Sequence, residues 1–455
     1  MAVIVWHRND LRIEDNPALI AALKTKEPII SIYIYTPSEE KSLGGASKWW
    51  LGKSLKSLQQ DYMKKGGKLI LKRGDPSKVL KQIVQKTKAT ALYYNTRFDP
   101  EGIKEDKKII RGLKIPVETF NGNHLVDPSF FKNKSGKPFL VYAPFWNALQ
   151  KEYTERIPLK APQKIKSFSF QVKQDKLPLA SNKRWHKKLE KYWDPGRSGA
   201  IKNLSAFRKK GAQYEKNRDF PSIQGTSMLS PHLHFGEISP REVWAALKGT
   251  KSFLRQLGWR EFGISFVYHF PKTPLKNWNQ KFDRFPWKTS PALLKKWEKG
   301  MTGYPIIDAA MRQLWETGWM HNRLRMVVAS FLVKDLFIHW KKGAAWFWDT
   351  LVDADLGNNT LGWQWVAGSG PDASPFFRIF NPILQGEKFD PEGKFVREFV
   401  PELKNLPKKW IHKPWLAPKE ELEKAGVILG KTYPKPIVDH VKAREIALKE
   451  YKKLC

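Results

Sequence analysis

Ile29-Ile30-Ser31-Ile32-Tyr33-Ile34-Tyr35 is an apolar run of β-forming residues, and the stretch that follows at 49–64 carries its apolar residues at helical spacing. The same pairing recurs in both directions. Before it lie a β-like run at 3–6 and a helical stretch at 16–24; after it come 68–72 with 77–86, 91–94 with 103–113, and 117–120. Such alternation predicts an α/β domain, doubly wound around a mostly parallel five-stranded sheet with helices on both faces. No GxGxxG follows the first run, so the ordinary dinucleotide fingerprint is absent.

Further along the pattern changes. From about residue 160 to 188 the chain is rich in Lys, Ser and Pro and short of long apolar runs, which reads as a connector. Beyond Trp193 the β-like runs largely disappear, and the stretches 293–299, 304–317 and 322–340 place apolar residues at helical spacing. The expected organisation is an α/β domain at 1–130, a connector at 131–192 and a large all-α domain at 193–455. A chain of 455 residues with 41% hydrophobic content is long enough for two or three domains.

Composition narrows the class. No apolar run approaches a membrane span and the first residues show no signal-peptide pattern, so a cytoplasmic protein without a membrane partner is expected. The single cysteine, Cys455, excludes an internal disulfide, a thiolate metal site and an iron–sulfur cluster, and no metal is expected. A formal charge of +37, from 81 Lys+Arg against 44 Asp+Glu, points to an anionic polymer. Lys loaded onto every solvated face is the competing reading.

Fifteen of the 20 tryptophans lie at or after Trp193, more than a helical core already rich in Leu, Ile and Val requires. Tryptophan offers a stacking face and an oxidisable ring, or simply core packing. Three segments bear on the choice. In Gly225-Thr226-Ser227-Met228-Leu229-Ser230-Pro231, small hydroxyl residues precede a proline that can start a helix, an arrangement suited to an anion such as pyrophosphate and equally to an ordinary cap. Gln256 and Trp259, three apart on a helix, set a hydrogen-bonding edge beside a stacking plane, as a planar base would need. The third segment runs from Gly318-Trp319-Met320-His321-Asn322-Arg323-Leu324-Arg325 to Asp353-Ala354-Asp355-Leu356-Gly357-Asn358-Asn359-Thr360-Leu361-Gly362-Trp363-Gln364-Trp365. Its polar residues sit within apolar helices and need partners that a cofactor with ribose hydroxyls and ring nitrogens would supply.

Together with Trp6-His7-Arg8-Asn9-Asp10-Leu11-Arg12, Asp15-Asn16-Pro17-Ala18-Leu19, Thr302-Gly303-Tyr304-Pro305 and Phe377-Arg378-Ile379-Phe380-Asn381-Pro382, these segments resemble the photolyase/cryptochrome family over nearly the whole chain. They look most like its bacterial class I cyclobutane pyrimidine dimer photolyases. The resemblance implies FAD in the helical domain. Tyr214, Thr226, Ser227, Met228, Leu229 and Ser230 would serve its phosphates and ribityl chain, with Phe253 and Arg260 nearby; Asp353 and Asp355 would face it, Asp353 would pair with Arg325, and Asn359 would face flavin N5. It further implies light-driven repair of UV-damaged DNA by a monomer. Trp259 and Trp365 would stack on a flipped-out dimer, Gln256, Asn322 and Arg323 would make polar contacts to it, and Arg378 would lie on the basic rim. Trp363, Trp340 and Trp287 match the family's electron relay, from flavin to surface.

Some positions depart from the class I pattern. Gln256 stands where dimer photolyases carry Glu and (6-4) photolyases carry Gln, whereas Asn322 and Met326 stand where (6-4) enzymes have a pair of His. Arg197 replaces the usual Glu, and Glu101-Gly102 does not reproduce the Asn-Glu pair of folate-binding members, so a deazaflavin, a folate or an empty antenna site are all open. The alternatives to dimer repair are a (6-4) photolyase and a cryptochrome-like blue-light photoreceptor.

Overall fold

A computed structural model describes residues 1–179, 184–373 and 377–454. Cys455 and residues 180–183 of the expected connector lie outside the described residues. The chain forms two compact units, one of Met1–Ala212, Ser227–Pro271 and Val352–Gly357, the other of Gln213–Thr226, Lys272–Leu351 and Asn358–Cys455.

In the first unit five parallel strands, β1 (Val3–His7), β2 (Ile29–Tyr35), β3 (Leu69–Arg73), β4 (Ala91–Asn95) and β5 (Val117–Phe120), lie in the order β3-β2-β1-β4-β5. The chain winds outward from β1 on one side and then on the other, as the alternation predicts. β1, β2 and β4 are buried along their whole length, which is why they read as near-continuous apolar runs instead of alternating ones.

The crossovers use α1 (Pro17–Lys24), α2 (Pro37–Ser42), α3 (Gly45–Lys64), α4 (Pro76–Thr87) and α5 (Pro100–Gly112). Asn16, Asp75 and Asp99 each cap the following helix through a side-chain oxygen, with proline next, so cap and stop of the donor row are written in neighbouring residues. Periodicity does not reveal α2, which buries nothing; a reciprocal capping box between Thr36 and Glu39 defines it.

The connector is less free than its composition implies. Ile29 N donates to Lys166 O at 2.8 Å, Phe168 N to Ile29 O at 2.9 Å and Asp175 N to Leu71 O at 3.0 Å, so this segment lies along the sheet. Phe168, Phe170 and Val172 pack on the sheet core.

The motif around Arg12 is structural glue within this unit. Its buried guanidinium donates to Asn123 Oδ1 (2.9 Å), Gly236 O (2.8 Å), Asp15 O (2.9 Å) and Gly122 O (2.6 Å). Arg197 forms a two-pronged pair with Glu242 at 2.6 and 3.0 Å.

The second unit is helical, and no named strand falls in it among the described residues. The expected helix at 322–340 is in fact two, a correction to the sequence reading. An α-helix Asn322–Ser330 widens into a π-helical turn, Phe331–Asp335, and a new helix starts at Trp340. Phe337, between them, has φ +58°, and Lys288 N donates to its carbonyl at 2.7 Å.

Candidate cofactor-binding and lesion-binding residues

In the first unit the helix Lys251–His269 carries Phe253, Gln256, Trp259 and Arg260, and their positions divide their tasks. Phe253 is buried against Phe207, with ring centroids 4.8 Å apart. Gln256 is half-buried, its amide nitrogen donating to Ser252 O at 3.5 Å. Trp259 lies flat on Tyr142, with 3.6 Å between centroids and 9° between planes. Gly258 permits this layer, since a Cβ there would stand 2.5 Å from a Trp146 ring carbon and 2.7 Å from the Tyr142 hydroxyl. Tyr142 was not anticipated, because no local spacing connects a residue inside the 131–192 connector with one more than a hundred positions later.

Arg260 turns into the protein. Its guanidinium donates to Asn123 O (2.8 Å), Glu261 Oε1 (3.1 Å) and Leu233 O (3.4 Å), while Glu261 Oε2 accepts from Leu125 N at 3.0 Å. It thereby ties a loop after β5 to the end of the helix Ser230–His234. The turn before that helix is unusual: Met228 has φ +55°, Ser227 Oγ accepts from Leu229 N at 3.3 Å, and Asn203 donates to Met228 O at 3.3 Å. Ser230 begins the helix with Pro231 in its first turn, as the hydroxyl-rich sequence predicts. Asp353 is buried, and Asp355 lies 3.7 Å from Nδ1 of His234, a partner that the spacing did not single out.

The second unit holds the other expected residues. Tyr214 is buried, with the Arg218 guanidinium 5.3 Å over its ring. Asn322 is exposed at the start of its helix. Arg323 is held by Asp219 at 2.9 Å and lies 4.5 Å over Phe389, and Arg325 Nε donates to Met320 O at 2.8 Å. His321 caps this helix by accepting from Arg323 N through Nδ1, and burial lowers its pKa to about 4, so at neutral pH the ring is uncharged.

The three tryptophans expected to form the relay comprise two buried rings and one partly exposed one. Trp363 and Trp340 are 2% and 1% exposed, whereas Trp287 is half-exposed. Trp363 packs on Phe347 (5.0 Å) and Trp297 (6.3 Å), and its buried Nε1 has no hydrogen-bond acceptor among the described residues. Trp340 Nε1 donates to Asn277 Oδ1 at 2.7 Å, and Trp287 Nε1 to Phe282 O at 3.0 Å. The His339 ring lies 4.7 Å from Trp287 and 5.5 Å from Trp340, joining the outer two. Asn359, four residues before Trp363, donates to Ala344 O at 3.3 Å. Trp365 and the exposed Arg378 line one cleft, with the Arg378 guanidinium 4.8 Å over Phe380.

The first unit carries groups of the kind a flavin nucleotide needs, hydroxyls on a left-handed turn, buried Asp353 and half-buried Asp355. The second carries an amide, a guanidinium and an indole N–H that has no acceptor among the described residues, and each set by itself fits such a cofactor. Among the described residues no group of three His, Cys, Asp or Glu side chains could hold a metal ion, and no helix is long and apolar enough to cross a membrane.

An open parallel sheet together with a helical part bearing these groups defines a class of two-part flavoproteins. Residues 253–453 match the FAD binding domain of DNA photolyase, and residues 3–163 match the DNA photolyase domain. A deoxyribodipyrimidine photo-lyase from Agrobacterium fabrum is 49% identical over 469 residues, which cover 99% of this chain and 97% of that protein. Cryptochrome-1 of Arabidopsis thaliana is 40% identical, over 97% of this chain and 69% of its own length. The crystal structure of a bacterial class III photolyase from Agrobacterium tumefaciens superposes with a TM-score of 0.96 at 49% identity, covering 100% of this chain and 97% of that one. The chain belongs to the photolyase/cryptochrome family.

The expected likeness to class I members is corrected, because the solved photolyase so similar to this chain is of class III. The physical reason lies in the motifs used. Arg12 and its neighbours build the junctions of the first unit, and Thr302 N and Gly303 N together with the Thr302 hydroxyl donate to buried Asp308. Such residues answer to packing within the scaffold, which does not depend on the lesion that is bound.

Proposed function

We propose that the chain is a light-driven DNA-repair enzyme, a deoxyribodipyrimidine photo-lyase that splits cyclobutane pyrimidine dimers. The observation that carries this reading is 49% identity to an enzyme of that name across 99% of the chain. Tyr214, Thr226, Ser227, Met228, Leu229, Ser230, Phe253, Arg260, Arg325, Asp353, Asp355 and Asn359 would hold FAD. When bound, FAD supplies the light-excited electron donor.

The chain's own residues do the rest. Trp259, braced from behind by Tyr142, and Trp365 offer flat apolar faces to a dimer extruded from the duplex, a step that costs a few kcal/mol and least for a damaged, poorly stacked pair. Gln256, Asn322 and Arg323 direct hydrogen bonds at its pyrimidine edges, Arg323 being preset by Asp219. Arg378 meets backbone phosphate. Trp287, Trp340 and Trp363 pass electrons inward from the surface, and the partial exposure of Trp287 against the burial of the other two supports that direction. Residues 1–130 would form the antenna domain, for a deazaflavin or a folate, 131–192 the connector and 193–455 the catalytic domain. The partner is UV-damaged DNA, and the enzyme works as a cytoplasmic monomer.

The kinship with Cryptochrome-1, at 40% identity, favours a blue-light photoreceptor as the second reading, and Gln256 favours a (6-4) photolyase as a third. One assay separates them. The reduced protein under blue light is expected to restore thymine dimers in an oligonucleotide; loss of (6-4) products without dimer repair, or no repair of either, overturns the assignment.

A further inference from the structure

Lys334 occupies an uncommon place for a cation. It lies in the π-helical turn Phe331–Asp335, a type of irregularity frequent at functional sites, and its side chain is 3% exposed. Nζ donates to the carbonyl of Arg378 at 2.5 Å and lies 4.2 Å over the Phe377 ring. Lys334, Trp365, Phe377, Arg378 and Tyr451 line a common cleft. The charged and titratable groups around it come from three elements: Asp335 beside it, Arg378, and from the helix His440–Lys452 both Tyr451 and the His440 ring bound to Asp335. Burial lowers the ammonium's pKa to about 7, Asp335 opposing and Arg378 adding to the shift. A negative charge arriving nearby would favour the protonated form.

We propose that Lys334 is a positioning residue for DNA: its ammonium grips the Arg378 carbonyl and so sets the Arg378 guanidinium, at the rim of the Trp365 cleft, for a backbone phosphate. This rests on the DNA-repair reading. A charge-assisted bond to a carbonyl is roughly twice as strong as one from a neutral amine, so the grip is firm while Lys334 is protonated and slackens once it is not. Phosphate near Arg378 in turn stabilises the ammonium, and DNA binding draws a proton onto the protein. The sign follows: affinity is highest below the Lys334 transition and falls as pH rises through it.

The test is the dark Kd of the FAD-loaded protein for a dimer-containing duplex from pH 6 to 8.5 at constant ionic strength, for wild type, Lys334→Met, Lys334→Gln and Arg378→Ala. Wild type is expected to weaken about threefold to tenfold over this range, one titrating group setting a ceiling of tenfold per pH unit. Both Lys334 variants should bind about tenfold more weakly at pH 6 with the slope gone, and Arg378→Ala should flatten it too. A slope that survives in Lys334→Met, or an unchanged affinity there, overturns the proposal. If the Lys334 variants do not fold, wild type against Arg378→Ala decides, a slope indifferent to Arg378 being the negative result. Blue-light repair by wild type is scored separately, so failure of the enzymatic reading is distinguishable from failure of this one.

Discussion

Gly343 shows how little room surrounds Trp363, the innermost residue of the proposed relay. A Cβ at this position would stand 2.1 Å from the Trp363 ring and 2.6 Å from a Leu332 methyl, so the indole occupies the space a side chain would take. Gly343→Ala must therefore displace Trp363 or its own helix, and overpacking of this kind costs about 1–3 kcal/mol, of which alanine's better helix propensity returns up to about 1 kcal/mol. Denaturant unfolding should register that loss, and photoreduction of bound oxidised flavin should slow with the shifted indole. A variant of wild-type stability and photoreduction would show that Trp363 is not fixed by this contact. The candidate site itself was partly legible: Trp259, Trp363 and Asn359 carry their chemistry in their residue types. Tyr142 and His339 were not, because stacking on Trp259 and bridging Trp340 to Trp287 are created by folding and leave no mark in spacing.

Among elements, two helix starts that look alike in sequence are predicted to differ in energy. Asp75 caps α4 at the surface, so Asp75→Ala should cost about 1 kcal/mol, its exposed pair with Lys108 adding little. Asn16 caps α1 but is fully buried, donates to Asp10 at 3.0 Å and accepts from Asn95 at 2.8 Å. Removing it leaves Asp10 and Asn95 each one hydrogen bond short while out of water, a further penalty of about 1–3 kcal/mol. Equal destabilisation of the two variants in urea would contradict the network. Strand order and the capped crossovers could be read because both depend on local patterns. The break between residues 335 and 340 could not, since apolar residues keep helical spacing through it, and what imposes it is distant: Lys288, which pairs with Ile338 and donates to the carbonyl of Phe337.

For the whole molecule the open question was the charge of +37, which either serves nucleic acid or merely coats the surface. The two readings differ in salt dependence. Each phosphate neutralised contributes roughly −0.9 to the slope of log K against log salt, without regard to sequence or damage. The proposed stacking of a flipped dimer on Trp259 and Trp365 would add a preference of short range, which screening by salt scarcely touches. Between 50 and 200 mM salt, conditions chosen for the assay in the range where counterion release dominates, affinities for damaged and undamaged duplex should therefore fall together while their ratio stays nearly constant. Trp259→Ala should collapse that ratio and leave the salt slope alone. If the preference for damage instead fades in step with salt, the basic surface and not the aromatic faces selects the lesion, and the roles assigned to Trp259 and Trp365 are wrong.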